Sequence, residues 1–110
     1  MKGRVKMKEP DINVIRNKLG IPADDIFIGY VIFDSCKGDF LFDYAASTDM
    51  FSFKRFVPTP ELARKFTRYK KAVDVIKSLE MEERAIIMMA FDLGSQIGVI
   101  DMPSCSEMVN

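Results

Sequence analysis

The feature that most constrains the fold is a stretch in which strand-forming and turn-forming residues alternate. Its first part, residues 26–34, is dense in isoleucine, valine, phenylalanine and tyrosine, which predicts a strand buried on much of both faces. Gly38 can adopt the positive φ that a tight turn needs, and Ser47, Thr48 and Asp49 favour a second turn. Strands are therefore predicted at residues 26–34, 40–46 and 51–57, and a three-stranded meander is their simplest assembly.

Aromatic residues alternate along the second predicted strand. Because successive side chains of a strand point to opposite faces, one shared face is predicted for Phe40, Phe42 and Tyr44. The opposite face of the same strand is predicted to carry Leu41, Asp43 and Ala45.

Two helices are predicted beside these strands. Asp11 can cap a short helix that runs to Leu19, because Gly20 can end it there. A longer helix is predicted to have Thr59 as its cap and Pro60 at its first position, and to run to about Leu79. One apolar stripe along this main helix is predicted from the spacing of Leu62, Phe66, Tyr69, Val73 and Ile76.

The start of the main helix has an alternative. Thr67 could cap a separate helix that begins at Arg68, with residues 61–66 forming a turn of their own. In both versions the apolar stripe faces the sheet.

The end of the chain predicts two further strands. Residues 84–91 are apolar on both faces and predict a central strand, and residues 96–102 predict a last strand that Pro103 ends. The element order is then α-β-β-β-α-β-β. This order predicts an α+β fold: a mostly antiparallel five-stranded sheet with one main amphipathic helix packed on one face. We expect a single domain over residues 1–110, with a basic arm at 1–10 and a frayed tail at 103–110.

Composition excludes several classes of function. Sixteen Lys plus Arg balance sixteen Asp plus Glu, so no overall field attracts the chain to nucleic acid or to anionic lipid. The chain has no histidine, which is the commonest general base and metal ligand. Cys36 and Cys105 are far apart, and two thiolates alone do not complete a zinc site. We therefore expect no cofactor and no metal, and the few isolated cysteines favour a reducing, cytoplasmic environment.

The distribution of apolar residues bears on membranes. No apolar run reaches the roughly 18 residues that a membrane span needs. The basic residues near the N-terminus are not followed by an apolar stretch. We expect neither a membrane partner nor a secretory signal.

The middle of the chain resembles small proteins encoded by phages and plasmids. Those proteins share a strand hairpin followed by a helix with the pattern A-x-x-F…A-x-x-x-I-x-x-L and a further strand. Here the strands span residues 30–57, and the pattern is carried by Ala63, Phe66, Ala72, Ile76 and Leu79. Some small phage proteins are stoichiometric inhibitors of host defence, anti-CRISPR proteins among them, so the resemblance implies an inhibitor of that kind. It covers about half of the chain and carries no catalytic residues.

The main helix provides the first candidate binding residues. With Leu62 facing the core, helical phasing places Arg64, Arg68 and Lys71 together on the opposite face, and Val75 continues that stripe. Arginine can bind a carboxylate or a phosphate through two parallel hydrogen bonds. The stripe is therefore either a solvated face or an electropositive contact for an acidic protein or a nucleoprotein complex.

The aromatic strands provide a second candidate. The run Ile26-Phe27-Ile28-Gly29, and Lys37-Gly38 with the aromatic residues after it, are similar to the two signatures of the RNA-recognition motif. That fold places a helix and a strand between its signatures, whereas only about ten residues separate them here. The alternative function is a single-stranded nucleic-acid module, with the aromatic side chains either stacking on bases or lining the core. The candidate stacking platforms are Phe40, Phe42 and Phe53.

Four aspartates are the remaining candidates for chemistry: Asp34, Asp39, Asp43 and Asp92. An enzyme built on carboxylates would need a pocket that holds at least two of them and separates their pKa values. The sequence has no histidine to activate a serine and no phosphate-binding glycine loop. We therefore expect a protein without catalysis of its own and without a small-molecule substrate.

These observations predict a small interaction protein, and the resemblance implies that a mobile genetic element encodes it. Its function would be to inhibit or modulate a larger protein complex. The predicted contact surfaces are the stripe of Arg64, Arg68, Lys71 and Val75 and an open edge of the sheet, and that edge could also form a homodimer.

Overall fold

The strand predicted at residues 26–34 forms the centre of the sheet. A computed structural model describes residues 10–22, 24–46 and 52–101 of the chain. Five strands lie in the order β3-β2-β1-β4-β5, and each is antiparallel to its neighbours. The elements are α1 (Ile12–Leu19), β1 (Ile26–Asp34), β2 (Asp39–Ala46), β3 (Ser52–Val57), a 3₁₀ helix (Pro60–Leu62), α2 (Tyr69–Ser78), β4 (Ala85–Asp92) and β5 (Ile97–Asp101).

This architecture confirms the α+β class and the antiparallel five-stranded sheet. The predicted arm at 1–10 and tail at 103–110, except for residue 10, lie outside the described residues, as do the turn at 47–49 and Cys105. Within the described ranges, no helix has both the length and the apolar character that crossing a membrane requires.

α1 forms where the sequence predicts it. The Asp11 carboxylate accepts hydrogen bonds from the backbone N–H groups of Asn13 (3.0 Å) and Val14 (3.3 Å), which caps the helix. Gly20 ends it in the left-handed conformation, with φ 70°. The Ile15 side chain is buried in the core that also packs against α2, so α1 covers the same face of the sheet as the main helix.

The main helix is shorter than its apolar stripe predicts. Only Pro60–Leu62 are helical near the predicted start, as a 3₁₀ helix, and α2 begins at Tyr69. Residues 63–66 between them are not helical. The alternative with a separate second helix is the nearer prediction, although Arg68 is the N-cap and no side chain caps the helix there.

The non-helical segment lies where β1 and β2 separate. β1 pairs with β4 from Ile26↔Asp92 to Asp34↔Ala85, but it pairs with β2 only at Phe33↔Phe40 and Asp34↔Asp39 within the described strands. Residues 64–66, here called the inserted segment, fill the gap that opens beyond these pairs. Its backbone bonds to both strands.

Three hydrogen bonds hold the inserted segment in the gap. The Arg64 N–H donates to the Leu41 carbonyl on β2 (2.9 Å). Phe66 and Tyr30 exchange two hydrogen bonds of 2.8 Å on the β1 side. Gly29 permits the close approach: it has φ +138°, and a Cβ there would lie 3.0 Å from the Phe66 carbonyl oxygen.

The sheet separates two apolar cores. The helix face, which carries Tyr30 and Ile32, packs against α1 and α2 and also contains Phe66. The open face, which carries Val31 and Phe40, packs against Ala63. The chain therefore passes from one face to the other through the gap between β1 and β2. All five residues of the resemblance pattern are buried: Ala63, Phe66, Ala72, Ile76 and Leu79.

A β-bulge changes the predicted face of one aromatic residue. The β2–β3 register shifts between Leu41 and Asp43, so the alternation along β2 slips by one residue there. Tyr44 consequently packs against the helix-face core together with Leu41. The prediction that Phe40, Phe42 and Tyr44 share one face is therefore wrong for Tyr44.

Candidate partner-binding surface

Arg64 is the most distinctive exposed cation in the described part of the chain. Its guanidinium carbon lies 5.1 Å from the centre of the Tyr44 ring and 5.9 Å from that of Phe66. Its Nη1 lies 3.8 Å from Oδ1 of Asp43, and 48% of the side chain is exposed. Stacking on two rings restricts the guanidinium while leaving it open to solvent.

The gap between β1 and β2 assembles this site. Tyr44 is on β2, Phe66 is in the inserted segment, and their ring centres lie 6.3 Å apart. The backbone hydrogen bond from Arg64 to Leu41 places the arginine directly above them. We call Arg64, Tyr44, Phe66 and Asp43 the Arg64 surface.

The predicted basic stripe does not lie on one helix. Arg64 precedes α2, Arg68 is its N-cap and is exposed, and Lys71 is exposed in its first turns. Val75 is only 3% exposed and belongs to the helix-face core, so its assignment to a contact stripe is wrong. The helical phase set by Leu62 is not the phase of α2, because the helix restarts at Tyr69.

The predicted stacking platforms differ in exposure. Phe40 is buried and its ring lies 5.1 Å from that of Phe33, so it belongs to the open-face core and offers no platform. Phe42 is 40% exposed. Phe53 is partly buried, and the Arg55 guanidinium lies 5.7 Å from its ring centre.

The four candidate aspartates do not share one site. Asp34 is fully buried, where its Oδ2 lies 2.9 Å from Nε of Arg84 and its Oδ1 accepts from the backbone of Cys36 (2.9 Å) and Lys37 (3.1 Å). Asp39 pairs with Asp34 across the hairpin, and Asp92 accepts from the Gly94 N–H. Asp43 belongs to the Arg64 surface.

None of these aspartates lines either main cavity of the described chain. One cavity, of about 640 Å³, lies beside Arg84 and Cys36 and is edged by three glutamates. The other, of about 320 Å³, lies between the α1–β1 connection and β5. Among the described residues, no group of three or more His, Cys, Asp and Glu is placed to hold a metal ion.

Among the described residues, a shifted pKa is found for Glu61 on the 3₁₀ helix and for Lys65 in the inserted segment. Backbone N–H groups of Glu61 itself and of Ile97 donate to the Glu61 carboxylate and hold its pKa below the ordinary 4.5. Burial lowers the pKa of Lys65, and the nearby Glu61 carboxylate opposes part of that shift. The Lys65 ammonium donates to the carbonyls of Pro60 and Glu61, both at 2.8 Å, and so fastens the 3₁₀ helix to the inserted segment.

No protein-family model, curated protein or solved structure matches this chain significantly.

The sequence predicts Arg64 as a binding residue, but it does not predict the two rings that orient its side chain. The sequence predicts Tyr44 on the other face of β2, and it predicts Phe66 either on the main helix or in a turn before it, but not between two strands. One available signal was Gly29, because a glycine inside a strand-forming run indicates a bulge or a close backbone approach.

Proposed function

We propose that this protein is a small, non-enzymatic interaction module. It binds an acidic surface of a larger protein complex and thereby inhibits or modulates that complex, as small proteins of mobile genetic elements do. It acts in the cytoplasm.

The observation that carries the proposal is the geometry of Arg64. A free arginine loses much side-chain entropy when a partner fixes it, whereas one already stacked on two rings loses less. A half-exposed, oriented guanidinium can still form two parallel hydrogen bonds with a carboxylate. Arg68 and Lys71, exposed nearby along the chain, would add to the local positive charge.

The weak internal partner of Arg64 also supports this role. At 3.8 Å and with both side chains more than two-fifths exposed, the Arg64–Asp43 pair contributes little to stability. Replacing Asp43 by a better placed carboxylate of the partner would therefore cost the chain little.

The test is a charge reversal with a matched control. Arg64→Glu combined with Arg68→Glu is expected to abolish co-purification of the native partner from host extract treated with nuclease. The midpoint of unfolding of the double variant is expected to equal that of the unaltered chain. Lys77→Glu changes an exposed cation at the far end of α2 and is expected to leave binding intact. Undiminished binding by the double variant would refute the Arg64 surface.

A second candidate function rests on Phe42 and Phe53. An exposed ring, and a second ring with Arg55 beside it, are the kind of groups that stack on single-stranded bases. This function predicts anisotropy changes with labelled oligonucleotides that decline steeply with added salt and are lost on Phe42→Ala. Co-purification that survives nuclease favours the protein partner instead.

A further inference from the structure

The free edge of β5 has a defined set of outward backbone groups. The Leu93 N–H donates to the Gln96 carbonyl at the turn of the β4–β5 hairpin, so Leu93 and Gln96 are a hydrogen-bonded pair. Opposed residues of an antiparallel ladder alternate between hydrogen-bonded and non-hydrogen-bonded pairs, and this first pair therefore determines all the others. Asp92↔Ile97, Ala90↔Val99 and Met88↔Asp101 are then the pairs without ladder hydrogen bonds. The N–H and C=O groups of Ile97, Val99 and Asp101 consequently point away from the sheet.

Glu61 occupies one of these outward groups. Its Oε2 accepts from the Ile97 N–H at 3.3 Å, which agrees with the alternation just derived. Among the described residues, no such cap is placed on Val99 or Asp101. Within residues 10–22, 24–46 and 52–101, the edge is therefore closed at its start and open from Val99 onward.

The two edges of the sheet also differ in their side chains. β3, the other edge strand, carries exposed Lys54 and Arg55, and such charges disfavour pairing with another strand. From Ile97 to Ile100, β5 carries no charge. Unlike β3, β5 has the uncharged edge that accepts an added strand.

A cavity adjoins the same edge. The cavity of about 320 Å³ is bounded by β5 residues Gly98, Val99 and Ile100, by Phe91 below, and by the chain that follows α1, including Ile21 and Asp25. That chain is fastened by Arg16, whose Nη1 donates to the Pro22 carbonyl (3.0 Å) and whose guanidinium lies 5.2 Å from the centre of the Phe91 ring.

We propose that the β5 edge and this cavity together bind an extended segment of a partner protein as a sixth strand. The segment pairs with the Val99 and Asp101 backbone, places one large apolar side chain in the cavity, and presents a basic residue to Asp25. Main-chain hydrogen bonds supply affinity in this mode of recognition, and the cavity supplies specificity. None of these residues belongs to the Arg64 surface, so the proposal goes beyond the proposed function.

The probe is a displayed library of random linear peptides, selected on the full chain. Val99→Pro is the decisive variant, because it removes an outward N–H without breaking a bond to β4, and proline is tolerated on edge strands. Val99→Leu, which keeps the N–H, is its matched control. Thermal unfolding of both variants establishes that the fold is retained.

The expected result is a set of peptides with alternating apolar residues and a lysine or arginine. Their affinity, measured by fluorescence anisotropy, is expected to fall at least about tenfold for Val99→Pro and little for Val99→Leu. Asp25→Lys is expected to lower the affinity for peptides that carry a lysine or arginine more than the affinity for peptides without one. The Arg64→Glu/Arg68→Glu variant is expected to bind the peptides with unchanged affinity. Loss of peptide binding therefore tests the β5 edge independently of the Arg64 surface on which the proposed function depends.

Three results would overturn the proposal. The first is that no peptide is enriched, and the second is that the enriched peptides bind Val99→Pro as tightly as the unaltered chain. The third is a dimer in light scattering that Val99→Pro converts to a monomer, because the edge would then bind a second copy of this chain.

Discussion

β1 is bordered very differently on its two sides. Toward β4 it forms a ladder along its whole length, interrupted by one bulge between Phe27 and Gly29. Toward β2 it pairs at two positions near the turn, and the inserted segment replaces the remaining pairs. On the first side the position of each side chain follows from the register, whereas on the second side it depends on residues distant in the sequence.

The Arg64 surface lies on that second side. A continuous sheet has no room for an arginine between neighbouring strands, because they are only about 4.8 Å apart. Separation of β1 and β2 creates that room, and the backbone of the inserted segment fills it through three hydrogen bonds, with the Arg64 guanidinium over the Phe66 ring. The side chains of the proposed binding surface thus lie where regular pairing of β1 with β2 ends.

The largest expected loss in the free energy of unfolding is that of Phe66→Ala. Phe66 is 5% exposed in the helix-face core, so the loss of its ring is expected to lower the free energy of unfolding by about 4 kcal/mol. Phe91→Ala on the β4 side is the matched control, since that ring is also buried. Urea unfolding is expected to show similar losses for the two, but only Phe66→Ala is expected to accelerate hydrogen exchange at the Tyr30 amide selectively. Equal acceleration in both variants would contradict the distinction between the two sides.

Gly29→Ala is expected to act on the gap itself. The added Cβ would lie 3.0 Å from the Phe66 carbonyl oxygen at φ +138°, and we expect a loss of about 3 kcal/mol in unfolding free energy. Gly38→Ala is the control, because its φ of +76° is strained but nothing lies within 4 Å; a loss of about 1 kcal/mol is expected. Both are measured by chemical denaturation, and equal losses would show that the contact with the inserted segment is unimportant.

Asp34→Asn tests the short stretch in which β1 and β2 do pair. The change keeps an acceptor for the Cys36 and Lys37 amides but leaves Arg84 without its buried carboxylate. Because one third of the Arg84 side chain is exposed, we expect a loss of about 2 kcal/mol in unfolding free energy rather than the larger cost of a fully buried pair. A double-mutant cycle with Arg84→Gln measures the coupling energy between Asp34 and Arg84. If the losses in unfolding free energy of the two single variants simply add in the double variant, the two side chains are not coupled and the prediction is refuted.

Glu61→Gln has the smallest expected effect and appears as a change in pH dependence. The folded-state pKa of Glu61 is lowered below 4.5, so its ionisation stabilises the fold above the unfolded-state pKa. This contribution is lost as the pH falls through the folded-state pKa. Unfolding followed from pH 6 to pH 3 is therefore expected to show a shallower decline for Glu61→Gln than for the unaltered chain, and identical slopes would contradict the assigned hydrogen bonds.

The strands could be predicted from sequence far better than the gap. The bounds of β1 match the prediction, and α1 has the predicted cap and end, because propensity and capping act over a few neighbouring residues. The stripe from Leu62 to Ile76 has helical spacing, yet Leu62 is 61% exposed and Phe66 lies in an extended connection. Spacing alone does not show which tertiary contacts interrupt a helix, and a bulge such as that at Phe42 leaves no periodic signal.

The separation of β1 and β2 also has a consequence for how the chain folds. Continuing the pairing from Phe33↔Phe40 without interruption would place Tyr30 opposite Asp43, and a newly formed hairpin can close in that register before residue 66 is available. The native state requires that closure to stop and the later segment to enter. We therefore expect refolding to be a competition between a local hairpin, which forms quickly, and a long-range insertion, which must displace it.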